Sequence, residues 1–205
     1  MNFKINIAYL FLFLSVLFWA GNFIVGKYAS YYQIPPFSLN FYRWFFAWLI
    51  LLPFTYKEII SKKNYILENY KFYILLGITS VTIFNSIVYY SLNFTQVISG
   101  VLMISTIPVM IMFISSILKI ERTNIFQILG VICSFVGVIL IITKANLDLL
   151  VNLDFNKGDL TMVVAMLSWA TYSALLKKRK HELSQLSLLE AVSYTHLTLP
   201  TIYSV

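Results

Sequence analysis

Tryptophan, amide and hydroxyl side chains recur inside long apolar segments of this chain, at spacings that place them on one face of a helix. The first segment carries one such set at intervals of four, three and four residues: Ser15, Trp19, Asn22 and Gly26. Residues at these intervals share a helical face. An amide is costly when it faces lipid, so Asn22 is expected to point toward the protein interior. The predicted chemistry is reversible binding of a small molecule rather than bond breaking.

Two later segments carry comparable faces. The third apolar segment presents Thr79, Thr82, Ser86 and Tyr89, with Asn85 beside them. The fourth presents Met103, Thr106 and Met110, near a kink expected at Pro108. Small and hydroxyl residues also hold membrane helices together, and for any single Ser or Thr that role is favoured over ligand binding. For Trp19 and Asn22 taken together, a binding cavity is favoured.

Two ionisable residues, Lys27 and Arg43, are predicted to lie within helices. Lys27 is near the outer end of its helix, and extension of its ammonium group to water is favoured over a role in substrate binding. Arg43 faces either an outward vestibule or the lipid headgroups. No Asp or Glu is predicted within the helices. These segments therefore offer no intramembrane carboxylate for ion coupling.

Nothing in the sequence resembles a catalytic constellation. The single cysteine, Cys133, can form no internal disulfide, and His181 and His196 stand alone. We consider a membrane-embedded lipid-modifying enzyme as an alternative, but it would need paired acids or a metal cluster, whereas the loops offer scattered glutamates. A membrane scaffold protein is a further alternative. No cofactor and no metal are predicted.

The composition places these segments in a membrane. The 205 residues are 60% hydrophobic and 11% charged, with a mean hydropathy of +0.81, which is too apolar for a soluble globule. A helix that crosses a bilayer needs about 20 mainly apolar residues, and six stretches approach that length. We predict helices over residues 5–29, 37–52, 72–90, 100–118, 125–142 and 160–176. Pro53 is expected to end the second helix.

The basic residues lie between the apolar segments, so the net charge of +7 indicates topology rather than a nucleic-acid partner. Eleven Lys and Arg residues fall on one side of the predicted helices and two on the other. Because Lys and Arg are retained on the cytoplasmic side, the amino terminus is predicted to be cytoplasmic.

The chain contains the beginning of a second copy of its first helix. Residues 167–177 repeat residues 17–27, with identities at Leu17, Trp19, Ala20 and Lys27. An odd number of helices, five, separates the two copies, so the second copy must cross the membrane in the opposite direction. Inverted repeats that meet near the bilayer midplane are typical of secondary transporters.

Several short motifs occur together in one order along the chain. They are Trp19, Ala20, Gly21, Asn22 and Lys27; Pro36 and Arg43; Tyr90, Ser91, Leu92 and Thr95; Pro108; Glu121 and Arg122; Gly130; Gly137 and Val138; and Gly158, Asp159 and Leu160. In these motifs the chain resembles the EamA-type transporters of the drug/metabolite transporter superfamily. The resemblance covers residues 1 to about 190.

The resemblance implies an all-α membrane protein, consisting of the first five-helix repeat plus the sixth helix of an inverted 5+5 helix transporter fold. The first repeat would occupy residues 1–143, an external loop residues 144–159, and the start of the second repeat residues 160–191. Residues 192–201 resemble the translation of a sequencing adapter. We therefore expect residues 192–205 to form no part of the fold, to be disordered or arbitrarily helical, and to make few contacts with the rest of the chain.

The function that follows is transport of a small organic metabolite, such as an amino acid or an amphipathic compound, by alternating access in the bacterial inner membrane. The partners would be this solute and the lipid bilayer, with no nucleic acid. The predicted substrate-binding residues are Trp19, Asn22, Arg43, Thr82, Ser86, Tyr89, Met103, Thr106, Trp169 and Tyr172.

Overall fold

A computed structural model describes residues 7–120, 124–142, 156–178 and 182–198. Within these ranges the chain is helical and contains no strand. The elements are α1 (Ile7–Tyr31), α2 (Pro36–Ser61), α3 (Lys63–Glu68), α4 (Tyr70–Ser91), α5 (Val97–Ile117), α6 (Ile125–Ile142), α7 (Lys157–Lys178) and α8 (Gln185–Thr198).

Five helices in the described part of the chain are long and apolar enough to cross a membrane, namely α1, α2, α4, α5 and α7. Helix α6 is also apolar and has 18 residues, with the same bounds as the predicted fifth segment. The prediction of an all-α membrane protein is confirmed. Of the predicted external loop, residues 144–155 lie outside the described residues.

Helix α2 corrects a predicted boundary, because it continues through Pro53 to Ser61 instead of ending at the proline. Proline removes one backbone hydrogen bond, but membrane helices tolerate this where neighbouring helices and local adjustments satisfy the freed group. Helix α2 packs along α8 and α4. Apolar residues on both sides of Pro53 also keep the chain helical, because an unpaired backbone in lipid would cost more than the proline.

Helices α4 and α5 are each interrupted. Helix α5 has two parts, Val97–Ile104 and Ile107–Ile117, and Pro108 lies in the first turn of the second part, where its missing N–H is not needed. The kink expected at Pro108 is thus present, just ahead of the proline. Helix α4 contains a π-helical middle, Ile78–Asn85, between two α-helical parts.

Helix α4 lies at the centre of the molecule. Of its most apolar window, 67% is buried, compared with 6% for α1 and for α2. Its partner α7 presents fully buried Ala165, Ala170 and Ala174, and small residues allow membrane helices to approach closely. Because α4 and α7 bury each other, polar side chains of α4 lie inside the protein.

The end of α1 meets the end of α4 and the start of α7. The Nζ atom of Lys27 donates to the carbonyl oxygens of Leu92 (2.7 Å) and Thr95 (3.0 Å), and the Thr95 hydroxyl donates to Oδ1 of Asp159 (2.7 Å). The expectation that Lys27 extends to water is therefore wrong. The carbonyls that follow a helix end attract a cation, because they lack intrahelical partners.

The carboxyl-terminal end of α2 meets the start of α8. The Glu58 carboxylate accepts hydrogen bonds from the Ser184 backbone N–H (2.8 Å), from the Ser184 hydroxyl (2.5 Å) and from the Ser187 hydroxyl (2.6 Å). A carboxylate at the first turn of a helix satisfies N–H groups that have no intrahelical partner. Glu58 also pairs with Lys62 at 3.4 Å.

Helix α8 corrects the expectation for the last residues of the chain. Residues 192–198 continue the helix, and Val192, Ser193, Thr195 and His196 are buried in it. The hydroxyls of Ser193 and Thr195 donate to carbonyls one turn earlier (2.7 and 3.0 Å), so these polar residues need not interrupt an apolar helix. The expectation that this part makes few contacts is wrong for residues 192–198; residues 199–205 lie outside the described residues. The adapter-like origin stays a prediction.

Candidate functional site

A cavity of about 810 Å³ lies among α1, α2, α4, α7 and α8. Each of these helices contributes to its wall. Five of the predicted residues line it: Trp19, Asn22, Arg43, Trp169 and Tyr172. They come from α1, α2 and α7, so the cavity brings together residues that are as far apart as 153 positions in the sequence. Their role in binding stays a prediction.

Arg43 is held in the cavity wall by two amides from two different helices. Its Nη1 donates to Oδ1 of Asn22 on α1, and its Nη2 donates to Oδ1 of Asn85 on α4, both at 2.6 Å. The guanidinium carbon also lies 5.2 Å from the ring centre of Trp44 and 5.5 Å from that of Tyr89. Charge-assisted hydrogen bonds and aromatic faces both stabilise a guanidinium group. Arg43 is therefore held in the cavity wall by groups of two other helices.

The Asn22 amide has a defined orientation. Its Oδ1 accepts from Arg43 and also from the Tyr89 hydroxyl, again at 2.6 Å. Both of these groups are donors, so the amide oxygen must point toward them and the NH₂ group must point away. Tyr89 itself is not part of the cavity wall, and it acts on the cavity by fixing Asn22.

Aromatic rings form much of the remaining wall. The rings of Phe84 and Trp169 lie 4.6 Å apart, and those of Trp169 and Tyr172 lie 5.2 Å apart. Trp19 lies at the edge of the cavity with 41% of its surface exposed. A cavity with apolar walls and a few fixed polar groups is the usual form of a small-molecule site.

Besides Tyr89, four predicted residues lie away from this cavity. The Thr82 hydroxyl is 3.0 Å from Nδ1 of His196, and the Ser86 hydroxyl accepts from Nδ2 of Asn40 at 2.9 Å. The Thr106 hydroxyl donates to the carbonyl of Met103 at 2.6 Å, and the Met103 side chain packs on the buried core. In these contacts the four residues join or cap helices rather than face the open space.

The π-helical part of α4 explains why Thr82 and Ser86 are displaced. The prediction assumed an α-helical face, in which residues three and four apart lie together. In a π-helix the hydrogen bonds join residues five apart, and the two residues of this part that face the cavity with polar groups are Ser80 and Asn85, five apart. Asn85 also donates from Nδ2 to the Ser80 carbonyl at 2.9 Å.

Sequence reasoning therefore missed Ser80 and Trp44 as cavity residues, and it noted Asn85 beside the polar face of its helix without including it among the binding residues. No residue pattern in the sequence signals a π-helix, so Ser80 and Asn85 could not be separated from Thr82. Trp44 follows Arg43 directly in the chain, and an intramembrane tryptophan beside an intramembrane arginine was an available signal, since the face of Trp attracts a guanidinium group. Among the described residues, no group of three His, Cys, Asp or Glu could hold a metal ion.

The fold is that of a multi-pass membrane protein with a cavity among its helices. Comparison with known proteins identifies its family. Residues 6–143 match the EamA-like transporter family. That match covers more than half of the 205 residues. The chain belongs to this family.

The relatives that match are named as transporters, and their names state no solute. The uncharacterized transporter YyaM of Bacillus subtilis (strain 168) is 28% identical over 83% of this chain and 55% of its own length. An uncharacterized transporter of Archaeoglobus fulgidus is 30% identical over 85% of this chain and 60% of its own length. The chain thus spans little more than half the length of these relatives. No solved structure shows a significant match.

Proposed function

We propose that the protein moves a small organic solute across the bacterial inner membrane by alternating access, and that the cavity around Arg43 is part of its binding site. The observation that carries this proposal is the position of the cavity. Its wall joins helices of the first repeat (α1, α2 and α4) to helices of the second copy (α7 and α8). A solute site at the junction of two repeats is typical of secondary transporters.

The contacts of α1 and α7 support an inverted second copy. Lys27, near the end of α1, bonds the loop after α4, and Thr95 of that loop bonds Asp159 in the first turn of α7. The end of α1 is thus level with the start of α7. Two copies of one motif that cross in opposite directions supply the symmetry that alternating access uses.

The cavity favours some solutes over others. Its described lining contains aromatic rings, amides and hydroxyls, but no carboxylate. An organic cation would meet Arg43 without an opposing negative charge, so neutral or zwitterionic metabolites such as amino acids, or amphipathic compounds, are favoured. The orientation proposed from loop charge places the amino terminus in the cytoplasm.

Accessibility labelling tests the orientation. We replace the one cysteine, Cys133, by serine and introduce either Gln33→Cys, in the turn between α1 and α2, or Lys62→Cys, after α2. Gln33 is exposed and Lys62 is partly exposed. An impermeant maleimide added to intact cells should label position 33 and not position 62. Strong labelling at position 62 alone would show that the orientation is the reverse of the proposed one.

Measurements of solute accumulation test the function, and they use the protein expressed from its whole gene. Membrane vesicles that contain it are incubated with a mixture of amino acids and other small metabolites, and the accumulated compounds are identified by mass spectrometry. Trp19→Ala and Asn22→Leu should each abolish accumulation of the same compound at unchanged protein abundance. Phe54→Ala is the control, because Phe54 is 76% exposed on α2. Accumulation at the control level in both cavity variants would refute the site.

A further inference from the structure

We propose that Arg43 binds the carboxylate of the solute, and that the solute is a monocarboxylate with an apolar or aromatic body, whose binding needs no amino group. This inference deepens the proposed function and rests on it. It follows from the state of Arg43, the orientation of Asn22 and the chemistry of the cavity wall.

Arg43 is a partly buried cation without a negative partner among the described residues. Its hydrogen bonds go to two neutral amides. A charge out of water is costly unless it is paired as well as hydrogen-bonded. Amide oxygens satisfy N–H groups but leave the net charge in place. An anion that entered the cavity would supply the missing charge.

The guanidinium group also has donors to spare. It carries five N–H groups, and two of them donate to Asn22 and Asn85. The group is nevertheless fixed, since its two nitrogens are bonded to different helices and its carbon lies near the rings of Trp44 and Tyr89. A fixed guanidinium group binds a planar carboxylate through two parallel hydrogen bonds with little loss of freedom.

Asn22 supplies a second donor. Because its oxygen accepts from both Arg43 and Tyr89, its NH₂ group points away from them, and Asn22 lines the cavity. The same anionic group can therefore meet a charged donor and a neutral one. An acceptor-only group such as carboxylate fits this pair, whereas an ammonium group does not.

The rest of the cavity wall determines which kind of solute body can bind. The rings of Trp19, Trp169 and Tyr172 line the cavity, so an apolar or aromatic body has surfaces to contact. A single fixed cation balances one negative charge, and a dianion would bring a charge without a partner. The described lining holds no carboxylate to receive an ammonium group. The solute therefore does not need an amino group to bind.

Binding of three matched probes tests the inference. The chain in lipid nanodiscs is titrated by calorimetry with phenylacetate, with phenylacetamide and with 2-phenylethylamine, which share a benzyl group and are anionic, neutral and cationic. Phenylacetate should bind at least about tenfold more tightly than either of the others, since a bidentate charged contact is lost in both. Absence of phenylacetate binding up to 10 mM, or tightest binding of the amine, overturns the inference.

Variants assign the effect to Arg43. Arg43→Gln should weaken phenylacetate binding about tenfold or more and remove the preference over phenylacetamide. Arg43→Lys, which keeps the charge but not the two-pronged geometry, should bind more weakly while still preferring the anion. Lys57→Gln is the matched control and should bind as the original chain does, because Lys57 lies at an exposed position of α2 away from the cavity. A preference for phenylacetate that persists in folded Arg43→Gln and Arg43→Lys alike at full strength contradicts the proposal.

The binding experiments on Arg43 can fail or succeed independently of the transport experiment that tests the proposed function. Arg43-dependent binding of phenylacetate by a protein that accumulates no solute would reject transport and retain the anion site. Accumulation of a solute whose charge selectivity is the same in Arg43→Gln would reject the anion site and retain transport.

Discussion

Lys27 and Arg43 are the two cations that the sequence predicted within helices, and the protein holds them in different ways. Lys27 donates to two backbone carbonyls, those of Leu92 and Thr95, where the chain leaves α4. Arg43 donates to two side-chain amides, those of Asn22 and Asn85, in the wall of a cavity. Both residues are partly buried, and both have neutral oxygen acceptors.

The two cations differ in which hydrogen-bonding groups remain available after these contacts form. Backbone carbonyls after a helix end need a donor, so Lys27 completes the fold there and joins α1 to α4. The amides around Arg43 could bond to other partners, and the guanidinium group, which lines the cavity, has N–H groups beyond the two that bond these amides. An intramembrane cation is thus structural where it satisfies the backbone, and available for a ligand where side chains hold it in a cavity.

The largest effect is expected at the contact between α4 and α7, close to Lys27. A Cβ atom on Gly158 would lie 2.7 Å from the backbone oxygen of Ser91, which cannot easily move. Gly158→Val should therefore lower the free energy of unfolding by about 2–3 kcal/mol, measured by SDS titration in mixed micelles. Gly130→Val is the control, since nothing lies within 4 Å of a Cβ there. Equal stability of the two variants would show that this end is not closely packed.

A smaller loss is expected for Lys27→Met, which keeps the length of the side chain and removes its charge. The carbonyls of Leu92 and Thr95 would lose a charged donor, which should cost about 1–2 kcal/mol of unfolding free energy. Phenylacetate binding should not change, because Lys27 is outside the cavity wall. Lys57→Met, at an exposed position of α2, is the matched control. A loss of binding without a loss of stability would erase the distinction between the two cations.

The smallest effect is expected for Tyr89→Phe, which removes one hydroxyl behind the cavity. Asn22 would lose one of its two donors, at a cost of about 1 kcal/mol or less. Its amide would be less firmly oriented, so phenylacetate should bind a few times more weakly, with the preference for the anion intact. Tyr42→Phe, at a tyrosine that is 59% exposed, serves as control. A larger loss of binding than in Arg43→Gln would assign the anion to Tyr89 instead.

Much of the helical framework was predictable, because a bilayer demands long apolar helices and allows few alternatives. The bounds of α6 were predicted to the residue, and α1, α4 and α7 within three residues at each end. The end of α2 was not, since the rule that proline stops a helix is weaker in a membrane than in water. The burial of residues 192–198 against the rest of the protein was missed, because their hydroxyl side chains bond the preceding turn of their own helix and so do not prevent packing.

The candidate site was predictable in part. Trp19, Asn22, Arg43, Trp169 and Tyr172 line one cavity, and all but Tyr172 could be selected as costly or unusual residues at membrane depth. Their mutual contacts could not be derived, because they depend on how four helices pack. Thr82 and Ser86 failed as cavity residues since a π-helix in α4 turns Ser80 and Asn85 toward the open space instead.

The sequence by itself determined that this chain crosses the membrane several times as helices, and that it carries one cation deep enough to matter in the second of them. Both follow from the cost of placing polar groups in lipid, which acts on each segment separately. Only the tertiary structure decided that the amides of Asn22 and Asn85 hold Arg43 from two sides. Hydrogen bonds between helices depend on the rotation and register of each helix, and these are set by packing across the whole bundle rather than by any one segment.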